Sequence, residues 1–283
     1  MRIRATVAAV TGALALSAFA VPAAQADESP AAGALAAKVS PFGAVKPMDE
    51  NVGDTKITSV SVNGGKDVVV GTSAKKTFTI AVTATDPSGI QDGFAFLWHG
   101  TDLDSEDGVD GAIVPDADHG TCTTVNATTA TCKVTVVADP NENIYGNILA
   151  GSWKVYAAAQ GVDTDYVIKD AYKTAKVQRA SKLTVNASPE PVKKGKTITV
   201  TGALTRANWD TLKYAGYTSQ AVQLQFKKKG SSTYTTVKTV TSGTGGALKT
   251  TVKASVDGYF RYSFAGTSTT PAVNAAGDLV DVQ

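Results

Sequence analysis

From about residue 56 onward, apolar and polar residues alternate in short runs punctuated by Gly, Asp, Asn and Pro. This period of two constrains the fold more than any other feature of the chain. Val222, Leu224 and Phe226 alternate with Gln223, Gln225 and Lys227, so one set turns to a core and the other to water. No stretch carries the three-and-four spacing of an amphipathic helix. The runs predict strands over 56–62, 77–85, 94–98, 121–125, 130–137, 152–158 and 172–178. A second group falls at 182–186, 197–204, 221–227, 234–240, 248–254, 259–265 and 278–282.

Seven short strands in each stretch of roughly 100–130 residues is the pattern of an immunoglobulin-like sandwich. The expected fold class is therefore all-β, with two such sandwiches in tandem. A faint internal repeat agrees. Val62-Asn63 followed by Lys76-Thr77-Phe78-Thr79-Ile80-Ala81-Val82-Thr83 is echoed by Val185-Asn186 and Lys196-Thr197-Ile198-Thr199-Val200-Thr201. Charge separates the halves as well. Residues 54–180 hold 10 Lys and Arg against 16 Asp and Glu, a net of −6, whereas 181–283 hold 13 against 5, a net of +8. The expected organisation is an acidic domain at 54–180 and a basic domain at 181–283.

The start of the chain reads as an address. Arg2 and Arg4 precede an Ala-rich apolar run to Val21, and Pro22-Ala23-Ala24-Gln25-Ala26 offers the small-x-small pattern cleaved by signal peptidase before Asp27. The run is too short and too rich in alanine to favour a membrane span. Residues 27–53, rich in Ala, Pro and Gly, read as a disordered leader. The expectation is a secreted, extracellular protein that is not embedded in a membrane.

Cys122 and Cys132 flank a turn centred on Ala127, which places them directly across a hairpin. In an oxidising compartment they are expected to form a structural disulfide, the alternative being two buried thiols. A second cluster is acidic: Asp102, Asp104, Glu106, Asp107 and Asp110, followed by Asp116 and Asp118. Carboxylates at alternate positions suit calcium, which takes six to eight oxygen ligands. The loop departs from an EF-hand, with Asp107 where the turn needs glycine and Ile113 where the closing glutamate would stand. Two readings stay open: an irregular calcium site, or a solvated acidic surface. His99 and His119 bracket this loop, and two histidines with a carboxylate are a weak zinc signal.

In the second half, Trp209, Tyr214 and Tyr217 lie in one long connection. Such aromatics either dock a sugar or protein partner, or cover the open end of the sandwich. Lys227-Lys228-Lys229-Gly230 reads as a solvated turn, with anionic wall polymer as an alternative partner. No phosphate-binding glycine loop, nucleophile elbow or metalloprotease helix is present, and no histidine-based triad can be assembled convincingly. A nucleic-acid partner would want the basic charge clustered with base-stacking aromatics, and an exported protein rarely needs one, so nucleic acid is not the expected partner.

The runs Val222-Gln223-Leu224-Gln225-Phe226, Ser231-Ser232-Thr233-Tyr234-Thr235-Thr236-Val237-Lys238 and Asp257-Gly258-Tyr259-Phe260-Arg261-Tyr262-Ser263-Phe264-Ala265-Gly266 resemble the carboxy-terminal Ig-like domain of many secreted actinobacterial proteins. Gly277-Asp278-Leu279-Val280-Asp281-Val282 fits the same pattern, and Thr83-Ala84-Thr85-Asp86-Pro87-Ser88-Gly89-Ile90 resembles a strand-end turn of bacterial Ig-like modules. The resemblance implies a β-sandwich without an activity, and some relatives with this layout are labelled calcium-binding proteins. The functional expectation is a secreted, non-catalytic binding or scaffolding protein whose partner is an extracellular protein or a cell-wall polymer. A calcium-binding structural protein is the alternative, and an extracellular hydrolase or protease inhibitor is the alternative from a different class. No cofactor is expected beyond calcium.

Overall fold

The computed structural model describes residues 49–103, 105 and 108–283. Ten strands build the first half: β1 (Glu50–Val52), β2 (Lys56–Val62), β3 (Val68–Val70), β4 (Lys76–Thr85), β5 (Ile90–Gly100), β6 (Val109–Ile113), β7 (Thr121–Asn126), β8 (Thr129–Ala138), β9 (Gly151–Gly161) and β10 (Tyr166–Arg179). They form a four-stranded sheet, β2-β4-β8-β7, and a six-stranded sheet, β1-β10-β9-β5-β6, with β3 parallel to β10 at its edge.

Ten more build the second half: β11 (Ser181–Leu183), β12 (Asn186–Ser188), β13 (Thr197–Asn208), β14 (Lys213–Gly216), β15 (Ala221–Lys228), β16 (Thr235–Thr241), β17 (Ala247–Lys253), β18 (Gly258–Phe264), β19 (Val273–Asn274) and β20 (Asp278–Val280). Here β13 pairs with β11, β12, β14 and β17, and the facing sheet is β16-β15-β18 with β19 and β20 on the far side of β18. The chain is thus two tandem Ig-like sandwiches, and no α-helix occurs among the described residues.

The alternation read from the sequence selects the inner faces. Phe78, Ile80, Val82 and Ala84 of β4 are buried, as are Val222 and Leu224 of β15, while Gln223 is exposed. β5 and β9 break the pattern, because Phe94 to Trp98 and Val155 to Ala159 are buried at every position. Strands covered on both faces read as continuous apolar runs. The repeated sequence motif corresponds to the antiparallel pairs β2–β4 and β12–β13.

The start of the first domain differs from the expected one. The leader does not extend to Gly53: β1 pairs with β10, putting Glu50 opposite Ile168 and Val52 opposite Tyr166. Asp49 anchors it by accepting from Lys169 Nζ at 2.7 Å and from the Asp170 amide at 3.1 Å. The junction between the two halves is buried. Gln178 is 2% and Arg179 7% exposed, and Ala180 alone separates β10 from β11.

That burial comes from the second sandwich. The tip between β13 and β14 carries Trp209, whose ring is 1% exposed and packs in the core of the first sandwich with Ala207. Its indole Nε1 donates to the Gly71 carbonyl at 3.0 Å. Asn147 grips the same tip: its Oδ1 accepts from the Trp209 amide at 3.0 Å, and its Nδ2 donates to Asn208 Oδ1 at 2.9 Å. On the other side, Arg179 Nε donates to the Ala207 carbonyl at 2.6 Å and the Arg179 amide to the Thr269 carbonyl at 2.9 Å. Burial, followed by repulsion from Arg206, lowers the Arg179 guanidinium to about 10. It stays charged at neutral pH. Buried polar groups satisfied in this way hold one geometry, because any slippage leaves donors and acceptors unpaired.

Candidate functional site

Three turns at one end of the first sandwich converge on four carboxylates: Asp54, Asp86, Asp163 and Asp165. One oxygen from each lies within 4.8 Å of the others. Asp54 sits in the turn after β1, Asp86 directly follows β4, and Asp163 and Asp165 sit in the β9–β10 turn. Asp86 is the buried member, at 1% exposure. Its Oδ1 accepts from the Ser88 amide at 2.8 Å and the Ser88 hydroxyl at 2.5 Å, and its Oδ2 accepts from the Thr55 hydroxyl at 2.5 Å. Burial alone pushes its pKa up, but the bonds from Ser88 and Thr55 outweigh it, so the carboxyl is held below its ordinary value.

The turns are built around the cluster. The Asp54 amide donates to Asp165 Oδ2 at 3.0 Å, and the Asp165 amide to Asp163 Oδ1 at 3.2 Å. Gly161 is required for space, since a Cβ there would meet Asp86 Oδ2 at 2.6 Å and Asp163 Oδ1 at 2.8 Å. Gly53 is required twice over. Its φ is +76°, and a Cβ would overlap the Asp165 carboxylate.

The donor set is all oxygen, which suits a hard cation. Calcium binds at about 2.3–2.6 Å, so oxygens on opposite sides of it lie about 4.6–5.2 Å apart. The four oxygens, all within 4.8 Å of one another, are close enough to share one such ion. Asp86 Oδ1 is filled by its two donors, while Oδ2 accepts only one and keeps a lone pair for a metal. The four side chains fit calcium as ligands, with Asp163 and Asp54 open to solvent for water to complete the shell.

This cluster lies outside the acidic loop expected to hold calcium. Of that loop's candidates, Asp104, Glu106 and Asp107 lie outside the described residues. Asp110 Oδ2 is 3.1 Å from His99 Nδ1. Asp102 belongs to no group of three metal-ligating side chains among the described residues. The two histidines are not brought to one carboxylate either. His99 takes Asp110, while His119 Nδ1 lies 2.6 Å from Asp92 Oδ2, and neither joins a metal-ligating group among the described residues.

Cys122 and Cys132 pair across β7 and β8 and are joined in a disulfide. The aromatic trio of the second half separates. Trp209 is withdrawn from any ligand, because its ring completes the first sandwich's core. Tyr214 packs partly against that same core, under Lys182 Nζ at 3.8 Å from its ring centroid. Tyr217 lies edge-on to Phe264, with the Arg206 guanidinium 3.7 Å above it. The long connection thus packs Trp209 and Tyr214 against the first core and Tyr217 against the second.

Sequence reasoning passed over Asp54, Asp86, Asp163 and Asp165. The available signals were Asp163-Thr164-Asp165 beside Gly161 and the Asp86-Pro87-Ser88-Gly89 turn. Their convergence depends on pairing between strands distant in the chain, and local acid density does not report it.

No family model and no curated protein matches this chain. Among solved structures it is similar to the "D00-D0 domain of Intimin", at 18% identity over 78% of this chain and 99% of that one, with a TM-score of 0.25. It is also similar to FdeC, an Escherichia coli adhesin, at 15% identity over 83% of this chain and 66% of that one, with a TM-score of 0.32. Titin domains Z1Z2 match at 11% identity over 83% of this chain and 98% of that one, with a TM-score of 0.21.

Proposed function

We propose that this chain is an exported, non-catalytic binding or scaffolding protein whose two sandwiches act as one stiff unit outside the cell. The observation carrying this reading is the seam. Trp209, Asn147 and Arg179 fix the second sandwich to the first through buried contacts. Domains that close around a substrate commonly move about a hinge. A seam locked by an indole and a buried guanidinium instead suits a spacer or a fixed presentation of surfaces. The opposed charges of the two halves, −6 and +8, give it chemically different faces for an extracellular protein or a cell-wall polymer.

Calcium is the second reading, and the four-aspartate cluster favours it. A cation there would tie the turn before β2 to the ends of β4 and β9.

The test is recovery of the native protein from the producing cells. The expected result is release into the medium or binding to the envelope, with the mature chain starting at Asp27 and a mass two hydrogens below the reduced form. Retention inside the cell with residues 1–26 intact would overturn the reading. So would substrate turnover by the purified protein.

A further inference from the structure

The outward face of the sheet β16-β15-β18 is built differently from the rest of the second sandwich. Its two central strands turn Gln223, Gln225 and Lys227, and Tyr259, Arg261 and Ser263, away from the core. The register sets Gln223 opposite Ser263, Gln225 opposite Arg261 and Lys227 opposite Tyr259. No acid stands among these positions or anywhere in β16.

The cations on this face are held in place without being neutralised. Arg261 Nε donates to Gln225 Oε1 at 2.9 Å, and Gln225 Nε2 donates on to Gln223 Oε1 at 3.1 Å. The Arg261 guanidinium lies 3.8 Å over the Tyr234 ring, and Lys227 Nζ lies 4.8 Å over Tyr259. Among the described residues neither cation forms an ion pair. Nearby acids are occupied elsewhere: Asp257 accepts from the Val282 amide at 2.9 Å and Asp278 from the Ala187 amide at 2.6 Å. Charged side chains already ordered by stacking lose little further entropy when an anion arrives.

The chemistry selects the anion. Tyr234 carries Arg261 on its ring and Tyr259 carries Lys227, so on each ring a bound cation competes with the stacking of bases or of neutral sugars. What remains available is fixed positive charge beside amides and hydroxyls: Gln223, Gln225, Ser263 and Thr236, whose Oγ1 donates to Gln223 Oε1 at 3.1 Å. Resting on the binding-module reading above, we infer that this face docks an anionic, hydroxyl-rich polysaccharide. Its carboxylate or phosphate groups would meet Lys227 and Arg261, and its hydroxyls would meet the amide ladder.

The experiment measures binding of the full mature chain at low ionic strength to four immobilised polymers: polygalacturonate, a phosphomannan, neutral dextran and single-stranded DNA. The first two separate carboxylate from phosphate recognition. The expected result is binding to at least one of them, weakened by added salt, and none to dextran. The paired change Lys227→Gln/Arg261→Gln is expected to weaken binding by about tenfold or more, the scale of one charge-assisted contact. Lys249→Gln/Lys253→Gln, the same charge change on β17 of the opposite sheet, is expected to weaken it by less than about twofold. Both variants should keep the parent melting temperature. Equal losses in the two variants, no binding to either anionic glycan, or tighter binding to the DNA would each overturn the inference. A protein that binds neither glycan yet is still recovered on the producer's envelope would sink this inference alone and leave the binding-module reading standing.

Discussion

Trp209 shows how far one residue's role can depend on where the chain carries it. An indole in a polar connection, flanked by Asn208 and Asp210, has the composition of a docking residue. The fold instead drives it into the neighbouring sandwich, where it is 1% exposed. Trp209→Ala should therefore behave as a core truncation and lower unfolding stability by about 3–5 kcal/mol. Denaturant titration checks this, and a loss under about 1 kcal/mol would place the ring at a dispensable surface. Asp86 makes a prediction with a sign. Its folded pKa lies below the ordinary value of 3.8, so its contribution is present above that value and lost as pH falls through the lower, folded one. Asp139, buried and paired with Lys75 at 2.8 Å, is lowered for the same kind of reason and adds to the same window. Stability measured from pH 6 down to about pH 2 should fall below about pH 4. Asp86→Asn should flatten part of that fall, and an unchanged slope would contradict the role given to its hydrogen bonds.

At the scale of elements, the strands with one wet face were legible. β4, β8, β13, β15 and β18 all announce themselves by alternation, and their inner residues are the ones found buried. The strands β1, β3 and β14, of three or four residues, are too short to show a period, and tertiary pairing alone makes them strands. The Cys122–Cys132 pairing was legible because both cysteines share one hairpin with a recognisable turn. The four-aspartate cluster was not, because its members come from three turns brought together by pairing between distant strands. Replacing both cysteines by serine should cost about 3 kcal/mol on the chain-entropy model. The loss should appear in denaturant melts of the native chain and vanish when both proteins are reduced; no difference under oxidising conditions would contradict it. Calcium binding at the aspartate cluster should raise the melting temperature, reversibly with chelator, by mass action on the folded state. Asp163→Asn/Asp165→Asn should abolish the rise, whereas Asp102→Asn/Asp110→Asn should leave it intact. The opposite assignment would return the cation to the acidic loop.

At the scale of the molecule, the sequence displayed two modules through its repeat and its charge split, but it concealed how they are joined. The boundary residue Ala180 is bonded to both sandwiches, donating to Val70 at 2.9 Å and accepting from Ala207 at 2.7 Å. The proposed function requires this seam to make one cooperative, stiff unit of the two sandwiches. Differential scanning calorimetry of the mature chain checks this. A single transition, with the calorimetric enthalpy matching the van't Hoff value, is the predicted result, and Trp209→Ala should split it in two. Two independent transitions in the unaltered protein, with the upper or lower one reproduced by residues 181–283 alone, would contradict it.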